Sequence, residues 1–212
     1  MTKGTASMAE PAARRAQWSA AAVARFKPLL FIAGLLPFAR WFWLGFNDGL
    51  TANPIEFLTR SSGTWALVCL LVTLSITPLR RLLRQPALVR LRRPCGLFAF
   101  FYGALHFVAW VWWDRGLDVG AMLQDVWERP FITAGFAAFV CMTALALTST
   151  QWAIRKLGRR WQTLHRLVYL IGILAVVHLW WHKSGKNDFE QPLIYGAILA
   201  VLLGWRLALR LK

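Results

Sequence analysis

Apolar residues along this chain gather in six long runs instead of being dispersed as a soluble domain needs. The runs are Pro28–Phe46, Gly63–Pro78, Gly96–Trp113, Phe131–Ser149, His165–Trp181 and Pro192–Leu209, each 16 to 19 residues long. Helices of that length cross a hydrocarbon core of roughly 30 Å. None of the runs alternates as a barrel strand does. In lipid every backbone group must find its partner within the segment, so the pattern predicts six membrane-spanning helices. The first 27 residues, Ala-rich with Arg14 and Arg15, read as an N-terminal tail, and 28–212 as one transmembrane domain. The first run is followed by no convincing small-residue cleavage site, which argues against a removed signal peptide.

The polar residues between the runs predict an orientation. Nineteen of the 25 Lys and Arg fall on one side: in the tail, in the turns Arg80–Arg93 and Arg155–Arg166, and at Arg206, Arg210 and Lys212. Eight of the nine acids, all but Glu10, fall in the opposite loops. By the positive-inside rule both termini are cytoplasmic. Trp41, Trp43, Trp65, Trp110, Trp112, Trp113, Trp180 and Trp181 cluster at the opposite ends of the spans, where amphipathic indoles prefer to sit.

Composition then closes off other classes. A chain 58% hydrophobic and 16% charged is a polytopic membrane protein, and its net charge of +16 reflects topology and attraction to anionic lipid, not nucleic-acid binding. Cys69, Cys95 and Cys141 lie in or beside apolar runs with no disulfide-framework spacing. The spans hold no carboxylate for a proton relay and display no evident internal repeat, which counts against a transporter.

The candidate chemistry lies in the histidines. His106 is on span three, His165 opens span five, and His178 lies further along that span. Any one imidazole inside a membrane is as readily a packing residue bonded to a neighbouring helix. One on one span and two on another suit b-type haem, whose iron takes imidazole axial ligands from facing helices. At about 1.5 Å per residue, His165 and His178 differ in depth by roughly 20 Å and cannot share an iron. His106 and His178 lie near a common depth in the outer half. That leaves His165 near the cytoplasmic face, for a second haem with a non-histidine partner or for a flavin or quinol site. His182, beside Lys183 at the aqueous end, reads as an interface residue. Gly103 and Gly172 fit either a flat macrocycle against the backbone or close helix packing.

Several strings carry a family resemblance. They are Leu74-Ser-Ile-Thr77-Pro78-Leu79-Arg80, Arg92-Arg93-x-x-Gly96-Leu97, Phe101-Tyr102-x-x-Leu105-His106, Leu145-Ala-Leu-Thr148-Ser149-Thr150, and Leu157-Gly158-Arg159-Arg160-Trp161-x-x-Leu164-His165-Arg166-Leu167-Val168-Tyr169. In this order, from about Lys27 to Trp181, they resemble the MsrQ (YedZ) family of haem-binding membrane subunits. The resemblance implies a six-helix, ferric-reductase-like transmembrane bundle in the bacterial inner membrane. It also implies haem b with FMN as a further cofactor, and haem-iron ligands at His106, His178 and, less firmly, His165. The implied electron route runs from the quinol pool to MsrP, a periplasmic molybdopterin enzyme that reduces methionine sulfoxide in proteins. Pro94-Cys95 departs from the family's pattern, as does His182. Two rivals stay open: a ferric or cupric reductase with a free metal ion as acceptor, and a non-redox transporter or assembly factor whose histidines pack or line a path.

Overall fold

A computed structural model describes residues 18–209, and the regular structure among them is helical throughout. Residues 1–17 of the expected tail lie outside the described residues, as do the charges at Lys3, Glu10, Arg14, Arg15, Arg210 and Lys212. In chain order the helices are α1 (Ala20–Arg25), α2 (Lys27–Phe46), α3 (Pro54–Leu82), α4 (Arg92–Ala109), α5 (Val119–Glu128), α6 (Pro130–Leu147), α7 (Gln151–Leu157), α8 (Arg159–Leu164), α9 (Leu167–Ser184) and α10 (Glu190–Ala208). Six stretches are long and apolar enough to cross a membrane: Ala21–Phe46, Pro54–Leu82, Pro86–Asp114, Pro130–Leu147, Arg159–Ser184 and Glu190–Ala208. The protein is therefore an all-α, six-helix polytopic bundle, with one arginine-rich and one tryptophan-rich end.

Local signals set the helix ends, and the largest difference from the apolar runs is at α3. That helix starts at Pro54 because the Asn53 side chain accepts the Glu56 N–H at 3.1 Å and proline suits the first helical position. Glu56 and Arg60 pair one turn apart on its surface, so the helix runs on past the apolar window that ended the expected span at Gly63. Residues 20–25, expected as tail, form α1, capped by Ser19 accepting the Ala22 N–H at 3.0 Å. His165, expected to open span five, sits instead in the turn joining α8 to α9. At the end of α4 the backbone widens into one π-helical turn over Trp110–Asp114.

The centre is built by α3, α4, α6 and α9, which contribute Leu70, Ala99, Ala138 and Ile171 to one buried cluster. The two alanines let the backbones approach closely, as membrane helices require. Gly103 and Gly172 do the same: a Cβ would meet Met142 at 3.2 Å and Leu199 at 3.0 Å respectively. Helix packing thus accounts for both. Helix α2 covers α3 and α4 through Trp41, Phe98 and Tyr102, and α10 covers α3 and α9 through Leu199. Outward-facing Leu29, Ile32, Leu36, Val201 and Leu207 are exposed, as lipid-facing positions should be.

One charge inside the sixth helix has a packing role. Pro78 lacks an N–H, so the Leu74 carbonyl one turn before it has no helical donor. Arg206 supplies one: its Nη2–H donates to Leu74 O at 2.8 Å and to Thr77 Oγ1 at 3.0 Å. Its Nη1–H donates to Tyr169 Oη, and the guanidinium lies 4.8 Å from that ring's centroid. This side chain fastens α10 to both α3 and α9.

Outside the bundle, at the tryptophan-rich end, α5 is held by a buried carboxylate. Asp125 pairs with Arg115 and, at 3.2 Å, with Arg129, while Thr133 Oγ1–H donates to Val126 O at 2.5 Å. Val119, Leu123 and Trp127 remain exposed along the helix.

Candidate functional site

Helices α4 and α9 bring His106 and His178 together edge-on, with ring centroids 6.0 Å apart and ring planes at 79°. Each ring is held by a backbone carbonyl on the preceding span, α3 for His106 and α6 for His178. His106 Nδ1 lies 2.8 Å from Thr59 O, and His178 Nδ1 lies 2.6 Å from Phe131 O. A carbonyl can only accept, so both Nδ1 atoms carry the proton and both Nε2 atoms keep a free lone pair. A metal ion held between the two free Nε2 atoms, at about 2 Å from each, would need the rings roughly 6 Å apart by centroid, and the observed separation of 6.0 Å allows it.

Glycine makes these carbonyl contacts possible. A helical side chain lies over the turn before it, so a residue four positions on shields the carbonyl. Four positions after Thr59 is Gly63, where a Cβ would come within 3.0 Å of His106 Nδ1. Four positions after Phe131 is Gly135, where a Cβ would come within 2.7 Å of His178 Nδ1. The two halves repeat: each carbonyl precedes its histidine by 47 residues, and Gly63, Cys69 and His106 recur at one constant offset as Gly135, Cys141 and His178. The expectation of no internal repeat is corrected here. What repeats is a sparse framework of contacts, not a string, and the equal spacing of glycine, cysteine and histidine is its trace in the sequence.

His165 is not brought to this pair. Its ring stacks on Trp161 at 3.8 Å, its Nδ1 lies 3.1 Å from Trp161 O, and its Nε2 is 3.5 Å from Ser149 Oγ. Trp161 is itself tied to α6, its indole N–H donating to Thr148 O at 2.9 Å. The arrangement leaves His165 at the arginine-rich end, roughly 20 Å of helix from His178. His182 is half-buried, stacked near His178 at 6.4 Å and tilted against Phe131 at 5.6 Å. Beyond it Lys183 donates to Asp188, and that hydrogen bond holds the Asp188 carboxyl below the ordinary range.

Two further polar atoms on these helices are left without a partner. Thr59 Oγ1 and Trp110 Nε1 are shielded from solvent with no hydrogen-bond partner among the described residues. No cluster of three or more His, Cys, Asp or Glu able to hold a metal ion occurs among the described residues. Two opposed imidazoles fit an ion whose remaining positions are filled by a macrocycle.

The fold and site together define a class: a polytopic helical bundle clamping a two-imidazole centre within its core. Residues 62–176 match the family described as ferric reductase like transmembrane component. Several relatives are named protein-methionine-sulfoxide reductase heme-binding subunit MsrQ. One from Bordetella pertussis is 79% identical over 190 residues, covering 90% of this chain and 92% of the relative. Another from Ralstonia nicotianae is 56% identical over 178 residues, covering 84% and 82%. A third, from Xanthomonas euvesicatoria pv. vesicatoria, is 45% identical over 186 residues, covering 85% and 84%. No solved structure matches the chain. The chain belongs to the MsrQ family of ferric-reductase-like transmembrane proteins.

Proposed function

We propose that this chain is the haem b electron-transfer subunit of a methionine-sulfoxide reductase system. In this reading it carries electrons across the bacterial inner membrane from the quinol pool, or from a donor bearing FMN, to a periplasmic molybdopterin reductase of the MsrP type. The observation that carries the reading is the opposed pair His106 and His178, each with Nδ1 tied to a carbonyl and Nε2 free. The relatives' name, heme-binding subunit, agrees with it. The residues fit the group: two neutral imidazoles with ring centroids 6.0 Å apart, on helices that also carry buried, unpaired donors.

Haem, when bound, supplies a one-electron carrier partway through a core of roughly 30 Å, dividing the crossing into shorter hops. The protein's own part is to hold that carrier. Thr59 and Phe131 fix the tautomer and orientation of the two ligands through their carbonyls, and such outer partners raise imidazole basicity. Gly63 and Gly135 let the rings lie against the helices. The surrounding apolar side chains keep water away, which tunes the potential.

The arginine-rich end is taken as cytoplasmic and as the side of electron entry. His165 is assigned there, as ligand of a second haem or support for the flavin or quinol. Electrons leave at the tryptophan-rich end, close to the histidine pair, so the partner docks on that surface. Methionine sulfoxide reduction is reversible repair chemistry, and it takes place on the partner.

The test is acceptor choice. The purified chain is reduced anaerobically and mixed with the molybdopterin partner plus a methionine-sulfoxide peptide, or with ferric or cupric chelates alone. Reoxidation that requires partner and sulfoxide together is the expected result. Equally fast reoxidation by metal chelates, with none by the partner, would favour the ferric-reductase alternative and overturn this route.

A further inference from the structure

The level one turn outward from the histidine pair holds two donors that the ligand geometry leaves unused. Thr59 lies one turn before Gly63 on α3, and Trp110 one turn after His106 on the outgoing helix. Gly63 and His106 touch, and the two helices run antiparallel, so Thr59 and Trp110 share a level about 6 Å nearer the tryptophan-rich end. Thr59 Oγ1 and Trp110 Nε1 are both shielded from solvent and both lack a partner among the described residues. In the other half the same level is filled by Phe131 and His182, packed ring to ring at 5.6 Å. The rim is thus lopsided, with its open donors on the α3–α4 side.

The chemistry of these donors selects what they bind. An indole N–H only donates, and the threonine hydroxyl offers a second donor beside it, so the matching group is an ionised carboxylate, which only accepts. No carboxylate among the described residues bonds either donor, and at this end Glu56 is paired with Arg60, and Asp125 with Arg115 and Arg129. Arg60, Lys183 and Lys186 lie within electrostatic reach of the neighbouring His182, so cations flank the rim.

We propose that Thr59 Oγ1–H and Trp110 Nε1–H bind a carboxylate of the macrocycle held between His106 and His178, fixing its propionate edge toward the tryptophan-rich end. This rests on the haem reading above. Thr59 then acts twice, orienting His106 through its carbonyl and the macrocycle through its hydroxyl. The single π-helical turn beginning at Trp110 widens the helix where the indole must clear the ligand edge.

The experiment separates hydrogen bonding from packing. Full-length apo chain in detergent is titrated with protohaem IX and with its dimethyl ester, for the parent, Trp110→Phe and Thr59→Val. The parent should prefer the free acid by a factor on the order of ten, the size of a charge-assisted hydrogen bond. Both variants should lose most of that preference while binding the ester as the parent does, which also shows that they fold. Variants that keep the full preference, or lose both ligands equally, overturn the assignment. A parent that binds neither form overturns the haem reading and this assignment with it.

Discussion

At the residue scale the site depends on what is missing as much as on what is present. Gly135 has less room than Gly63, with a Cβ position 2.7 Å from the facing imidazole nitrogen against 3.0 Å. Gly135→Ala should therefore push His178 off the Phe131 carbonyl and sharply lower haem content, whereas Gly63→Ala should be the milder of the pair. Haem-to-protein ratio by pyridine haemochrome, measured beside circular dichroism to confirm folding, checks the order; a harmless Gly135→Ala would contradict it. The paired histidines themselves were legible in the sequence as candidates, because a histidine inside an apolar run is conspicuous. Thr59, Gly63, Phe131 and Gly135 were not. Two of them act through the backbone and two through lacking a side chain, and neither action leaves a motif.

At the scale of elements, the apolar runs located all six spans but misjudged where helices stop. Charge ends an apolar window without ending a helix, so α3 continues through Glu56 and Arg60 to its Asn53 cap. For the same reason α5, α7 and α8 were unreadable by hydropathy, being short, polar or lying outside the spans. Arg206 was legible only as a charge at the inner end, since its task depends on Pro78 from a helix far away in sequence. Replacing it by Leu leaves the Leu74 carbonyl buried without a donor, at a cost of about 1–3 kcal/mol. Arg206→Leu should lower the thermal midpoint in detergent and loosen α10, read as faster proteolysis of the last helix; Arg206→Lys should recover part of the loss. An unchanged midpoint would show that the Pro78 turn is satisfied in another way. Asp125→Ala should free α5, since it leaves Arg115 and Arg129 without their shared carboxylate. Faster cleavage between spans three and four, with the haem spectrum intact, is the expected outcome.

Across the whole molecule, the two ends differ in charge and in chemistry. The positive-inside argument assigns the arginine-rich end to the cytoplasm. Single cysteines in a Cys-free background at Arg84 and at Leu117 should react oppositely with a membrane-impermeant maleimide in intact cells, Leu117→Cys labelled and Arg84→Cys protected. The reverse pattern would invert the direction of electron flow. The doubled framework around His106 and His178 gives the bundle one two-sided support for the pair near its tryptophan-rich end. His165 stands apart from that framework, held by Trp161 and Ser149.

The central claim is that His106 and His178 together hold a haem. Oxidised and dithionite-reduced absorption spectra of the purified parent, His106→Ala, His178→Ala and His165→Ala chains test it most directly. The account predicts a low-spin b-type spectrum in the parent, its collapse in the first two variants, and survival of the component owed to the His106–His178 pair in the third. A parent that takes up no haem, or variants at His106 and His178 that keep the full low-spin spectrum, would contradict it and leave the pair as packing residues.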